Sequence, residues 1–229
     1  SNRNLVINGA MQVAQRGTSE TSITSSGYYT CDRWLWADSG SHVHTQTQES
    51  DGPDGFSNSL KVDITTANAS LSAGNFMMLT QKIEAQNLQH LQYGSSGASK
   101  ITLSFYVKSN KTGTYILELS HGETTKFNAN KYTIDTAGTW EKKTITISPD
   151  TATAINDDNG VGFDVNWWLG SGTTYSSGTH SADTWQTTTA NRAAGLTVNI
   201  ADSTSNYFQL TGVQLEVGEQ ATPFEHRSF

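Results

Sequence analysis

Apolar residues recur at every second position along several stretches of this chain, the period of a half-buried β-strand. From Lys100 to Lys108, Ile101, Leu103, Phe105 and Val107 share one face, and Thr102, Ser104, Tyr106 and Lys108 share the other. Thr114 to Ser120 repeats the pattern, with Tyr115, Leu117 and Leu119 opposite Ile116, Glu118 and Ser120. In Gly160 to Trp168, Val161, Phe163, Val165 and Trp167 are expected to face the core, and Asp164, Asn166 and Trp168 to face outward. Trp140 to Ser148, Leu196 to Ile200 and Tyr207 to Val217 read as strands too. So do Leu5 to Val13, Arg33 to Asp38, His42 to Gln48, Ser59 to Ile64 and Phe76 to Ile83. Glu84 to Leu91 differs: Leu88 and Leu91 lie three apart among helix formers, which predicts one short helix.

About a dozen short strands divided by Gly, Ser, Thr, Asn and Asp predict an all-β fold. The expected architecture is a jelly-roll β-sandwich of two antiparallel sheets. The chain has 229 residues, within the range of one large sandwich, so residues 1–229 are read as a single domain. A chain of this size buries a core without disulfide staples. Two long loops stand out. Glu49 to Ser57 contains the turn cluster Asp51-Gly52-Pro53-Asp54-Gly55. Gly170 to Ala190 is rich in Gly, Ser and Thr yet holds Tyr175, His180 and Trp185. Its aromatics either pin the loop to the body or face a ligand, and pinning is the favoured reading.

Composition narrows the function. Only 15% of residues are charged and 34% hydrophobic, while 10% are aromatic. Disordered chains are highly charged and poor in aromatics. An uncharged polar surface with aromatics suits neutral polar ligands, sugars above all. Net charge is −7 with Lys and Arg scattered, which argues against duplex nucleic acid, since phosphate neutralisation needs clustered cations. No apolar run reaches membrane-span length, and no signal peptide is visible. Cys31 stands alone, with no disulfide partner and no CxxC pair, and is expected to be a buried small hydrophobe. The start Ser1-Asn2, without Met, reads as an excised fragment with a cloning scar.

The ends of the chain carry a resemblance. Asn4-Leu5-Val6-Ile7-Asn8-Gly9 with Met11-Gln12, the strand Ile101 to Lys108 and the closing Leu210-Thr211-Gly212-Val213-Gln214-Leu215-Glu216 resemble the jelly-roll carbohydrate-binding modules appended to bacterial xylanases and glucanases. A closer likeness lies in Gln15-Arg16-Gly17, Asp32-Arg33-Trp34 and the ending Val213 to Gly218 with Ala221-Thr222-Pro223-Phe224-Glu225-His226-Arg227-Ser228. These are similar to domains near the C-termini of phage and prophage tail fibre proteins. That resemblance implies host-surface adhesion through glycans, a homotrimer in the full fibre, a place in the virion tail, and a cut at Phe229. The enzyme-linked modules often hold a structural Ca²⁺ through an acid after the Asn-Gly strand and an Asp in the closing strand. The matching positions here are Gln12 and Thr211, so the calcium site is not carried over.

Sugars offer C–H patches and a rim of hydroxyls, so their sites pair a flat aromatic with converging polar groups. The outward residues of the best strands are the ligand-binding candidates: Trp168, Asp164, Asn166, Tyr106 and Glu118. Asp164, Asn166 and Trp168 repeat at about 6.5–7 Å per two-residue step, a spacing that suits one sugar ring. Trp34 is expected in the core, and Trp36 at an edge within reach of ligand. Asp164 and Glu118 could flank a scissile bond as a glycosidase pair. No GxSxG elbow and no HExxH is present. His42 and His44 alternate on a strand and could hold a metal, although a polar strand face is the favoured reading. Asp157-Asp158-Asn159-Gly160 reads as a solvated turn. The expectation is therefore a non-catalytic carbohydrate-binding domain without cofactor or metal. The alternatives are a structural, trimerising fibre domain without a ligand and, less favoured, a glycan hydrolase.

Overall fold

The computed structural model describes residues 3–226. The expectations for Ser1-Asn2, Arg227-Ser228 and Phe229 lie outside the described residues. Among the described residues, twelve strands form two antiparallel six-stranded sheets. They are β1 (Ser19–Ile23), β2 (Trp34–Asp38), β3 (Val43–Glu49), β4 (Ser59–Thr66), β5 (Phe76–Glu84), β6 (Ile101–Ser109), β7 (Gly113–His121), β8 (Phe127–Ile134), β9 (Glu141–Ile147), β10 (Val161–Ser171), β11 (Trp185–Gln186) and β12 (Tyr207–Val217). The first sheet runs β1-β3-β4-β12-β6-β9 and the second β11-β8-β7-β10-β5-β2. The fold is the expected jelly-roll sandwich.

Alternation builds the core. Ile101, Leu103, Phe105 and Val107 of β6 face Tyr115, Leu117 and Leu119 of β7 and Phe163, Val165 and Trp167 of β10, all buried. Trp167 joins the layers: Phe105 meets it edge-on at 5.6 Å, and Trp34 tilts against it at 5.3 Å. Each large apolar side chain so buried contributes on the order of 2 kcal/mol. The predicted helix exists as a 3₁₀ helix, Ala85–Leu91, which buries Ala85, Leu88 and Leu91. That three-residue spacing is the 3₁₀ period.

Two expected strands are absent. Leu5 to Val13 is irregular because it meets β12 through only two backbone bonds, Leu5 N–H to Leu215 and Val213 N–H to Gly9, while side chains take other backbone groups. Asn4 accepts from the Leu215 N–H (3.0 Å) and donates to the Val213 carbonyl (3.1 Å). Gln81 brackets Ile7, accepting its N–H at 2.7 Å and donating to its carbonyl at 2.9 Å. Asn8 and Met11 sit at φ 57° and 56°, outside strand geometry. Leu196 to Ile200 fails for a similar reason: the Asn199 side chain accepts from Ala201 N–H and opens a 3₁₀ turn, Ile200–Asp202. Three strands carried no readable period: β1, β8 and the two-residue β11. β1 is mostly exposed polar sequence. β8 turns Asn128 and Asn130 inward, where a core face ordinarily carries apolar residues.

The long loop 170–190 is pinned, as favoured. It contains a one-turn helix α1 (Thr173–Ser176) and β11. Trp185 donates to the Ser148 carbonyl at 2.8 Å and packs on Tyr93. Asp183, at φ 48°, accepts from Ser148 and Asn128 and donates its N–H to Asn130. The inward asparagines of β8 thus anchor the loop.

Candidate functional site

The outer face of the second sheet is built from alternate residues of four strands. Register sets Leu35 beside Thr80 and Ala37 beside Met78. Thr80 pairs with Asn166, Lys82 with Asp164 and Met78 with Trp168. Across β10, Asp164 lies beside Ser120 and Asn166 beside Glu118. A cleft of about 400 Å³ crosses this face, within the range of small-ligand sites. Leu35, Ala37 and Met78 make an apolar strip in it. Lys82, Asp164, Ser120, Thr187, Thr189 and Arg192 supply polar groups, and the β7–β8 turn closes one side.

Sequence alternation placed Asp164, Asn166, Trp168 and Glu118 on this shared face correctly. Exposure is another matter. Trp168 is fully buried, capped by Tyr175 at 5.5 Å and by the Arg192 guanidinium at 5.3 Å. It is a floor under the loop and not a stacking platform. Glu118 is fully buried as well. Arg192 grips it in bidentate fashion, Nε to Oε2 at 2.7 Å and Nη2 to Oε1 at 2.9 Å. Asn166 and Trp168 also donate to Oε1, at 2.9 and 3.2 Å. Asn166 is completed by Thr80 Oγ1, which donates to its Oδ1 at 2.7 Å. Burial alone would lower the Arg192 pKa, but the Glu118 carboxylate outweighs it and holds the guanidinium charged. Glu118 is thus a buried counter-ion and is not presented to the cleft as an acid or nucleophile. Asp164 remains partly accessible and pairs with Lys82 Nζ at 2.9 Å.

The other two candidates lie elsewhere. Tyr106 is on β6 in the first sheet, half-buried against Phe56 at 5.3 Å. Trp36 is fully buried on the inner face of β2, its Nε1 donating to Asp38 Oδ2 at 3.1 Å. In Trp34-Leu35-Trp36-Ala37-Asp38 both indoles share the inward face, and the smaller Leu35 and Ala37 line the cleft. Among the described residues no tryptophan is exposed. Sequence reasoning missed Arg192, Lys82 and the Leu35–Ala37–Met78 strip. The outward phase of Phe76 to Ile83 could have supplied Lys82 and Met78; nothing local marks Arg192.

His42 and His44 contradict the expected polar strand face: both point inward and are buried. Gln12 and Thr211 do not fit a hard cation. Thr211 Oγ1 donates to the Asn58 carbonyl at 2.7 Å, and the Asn58 amide donates to Gln12 Oε1 at 3.4 Å, so neutral groups there bind one another. Cys31 is fully buried, and burial pushes its thiol up to about 12, as suits an inert small hydrophobe. The pieces of the fibre-like signature serve the scaffold. Gln15 N–H donates to Asp32 Oδ1 at 2.9 Å, and Gln214 accepts from Glu225 N–H at 2.8 Å.

No protein-family profile matches the chain, and no curated protein does. Solved structures with similar strand arrangements include the enzymatically active domain of tailspike protein 4 of bacteriophage CBA120 (13% identity, TM-score 0.48), matched over 93% of this chain and 21% of the tailspike chain. A CBM4 carbohydrate-binding module matches over 93% of this chain and 99% of its own (12% identity, TM-score 0.45). A family 11 carbohydrate-binding module of a cellulosomal cellulase of Clostridium thermocellum matches over 88% and 95% (9% identity, TM-score 0.42).

Proposed function

We propose that this chain is a non-catalytic carbohydrate-binding domain of a phage tail fibre, and that the cleft on the outer face of the second sheet holds a host-surface glycan. One observation carries the reading: the cleft sets an apolar strip, Leu35–Ala37–Met78, beside the Lys82–Asp164 pair and the Thr187–Thr189 edge. An apolar patch beside converging donors and acceptors matches a sugar ring, with C–H groups on one side and hydroxyls around its rim. Recognition relies on hydrogen bonds and aliphatic contact, since Trp168 lies beneath Arg192. The sequence resemblance supplies the fibre context, the trimer and the virion-tail location.

Binding to an array of neutral surface polysaccharides, followed by calorimetry on a hit, tests the proposal. Asp164→Ala and Lys82→Ala should each weaken binding by about tenfold, the effect of losing one charge-assisted hydrogen bond. Tyr106→Ala, on the opposite sheet, should leave affinity unchanged. Uniform failure to bind glycans, with trimers in light scattering, would favour the structural fibre domain. Release of sugar from the polysaccharide would favour a hydrolase.

A further inference from the structure

Asp38, His42 and His44 converge inside the sandwich, each offering a ligand atom within 4.8 Å of the others. All three are more than nine-tenths buried, at 7%, 3% and 0% exposure. Among the described residues, none of the four imidazole nitrogens has a hydrogen-bond partner. The nearest approach, His42 Nδ1 to Asp38 Oδ2, is 3.6 Å, too long for a hydrogen bond. Buried polar groups are almost always satisfied, so four unsatisfied nitrogens at one spot require a physical account.

The two rings cannot satisfy each other. They stack with centroids 5.2 Å apart and planes 19° from parallel. Imidazole N–H bonds and lone pairs lie in the ring plane, so neither ring aims at its neighbour. Trp36 packs on His44 at 4.4 Å and offers its N–H to Asp38 instead. The Asp38 carboxylate, by contrast, is fixed. Gly40 N–H donates to Oδ1 at 2.6 Å and Trp36 Nε1–H to Oδ2 at 3.1 Å. Those bonds hold the carboxylate in place, as hydrogen bonds from neighbouring donors orient metal-binding carboxylates elsewhere.

We propose that Asp38, His42 and His44 form a structural site for one borderline transition-metal ion, Zn²⁺ above all. Two neutral imidazoles and one carboxylate are a zinc donor set, whereas Ca²⁺ and Mg²⁺ select oxygen ligands. Tetrahedral zinc holds its ligand atoms roughly 3.3 Å apart, so the trio closes around the ion by small side-chain rotations. Position gives the site its role. Asp38 ends β2, the edge of the second sheet, and His44 lies on β3 in the first. His42 ends the crossover between them. An ion here clasps the two layers at one edge, on the inner side of the strand whose outer side lines the cleft, and the inference does not rest on glycan binding.

The untagged chain, stripped with EDTA, is titrated with ZnCl₂, CoCl₂ or CaCl₂ at neutral pH. One equivalent of Zn²⁺ is expected to bind, raising Tm by about 5 °C at saturation. The Co²⁺ adduct, with one water as its fourth ligand, should show the intense visible absorption of a four-coordinate ion, and CaCl₂ should do nothing. His44→Phe, which keeps a ring against Trp36, and His42→Gln should abolish binding. His90→Ala, at an exposed histidine, should not. Absence of a one-to-one Zn²⁺ equivalent in the native chain would overturn the proposal without recourse to any variant. So would retention of that equivalent in folded His42→Gln or His44→Phe protein.

Discussion

Glu118 organises the outer face of the second sheet through four short contacts: two from Arg192, one from Asn166 and one from Trp168. Removing Arg192 would leave an unpaired carboxylate buried beside an indole. Breaking such a pair typically costs about 3 kcal/mol or more, because the orphaned charge stays desolvated. Arg192→Ala should therefore lower the chemical-denaturation midpoint and shift tryptophan emission to the red as Trp168 meets water. An unchanged spectrum would mean that Tyr175 alone covers the ring. At this scale the sequence was half legible. Alternation put Glu118, Asn166 and Trp168 on one outward face, but "outward" is not "exposed". The covering residue, Arg192, lies 74 positions from Glu118, beyond any local pattern. Trp36 was misplaced for the opposite reason. Trp34, two positions away, shares its face and was expected in the core, so the period of two carries Trp36 inward with it.

Elements with strong period and plain bounds were readable: β6, β10 and β12 lie where alternation places them. Elements held by side-chain hydrogen bonds were not. The opening segment has apolar residues enough for a strand, but Asn4, Asn8 and Gln81 hold its backbone. Gly9 shows how tight that arrangement is: a Cβ there would lie 2.0 Å from the Val213 carbonyl oxygen, while Val213 N–H bonds to the Gly9 carbonyl at 3.0 Å. Backbone cannot yield as a flexible side chain can. Gly9→Ala should cost about 2 kcal/mol, read as a lower Tm, whereas Gly74→Ala, in open space and at an ordinary φ, should cost less than half as much. Equal losses at both positions would contradict the close approach. β8 was hidden because Asn128 and Asn130 occupy core-facing positions, where Asp183 and each other satisfy them.

For the whole molecule, the sandwich was legible from strand number and turn chemistry alone, because few folds accommodate a dozen short amphipathic strands. The layer assignment was not, since sheet order depends on pairings far apart in sequence. The opening segment ties both layers, reaching β12 through Asn4 and β5 through Ile7. A chain truncated to begin at Asn8 should lose cooperative stability as a whole, with Tm lower by about 10 °C, and should not merely fray at one end. A calorimetric endotherm that keeps its area and midpoint would show the segment to be decoration.

β12 is the last of the twelve strands in chain order, yet it sits in the middle of its sheet, flanked by β4 and β6. Until it emerges, those two neighbours have an unfilled gap between them and half of the interior stays wet. The sandwich therefore cannot close until β12 has been made, which leaves the strands before it as a nascent stretch with sticky, unpaired edges in need of protection by chaperones.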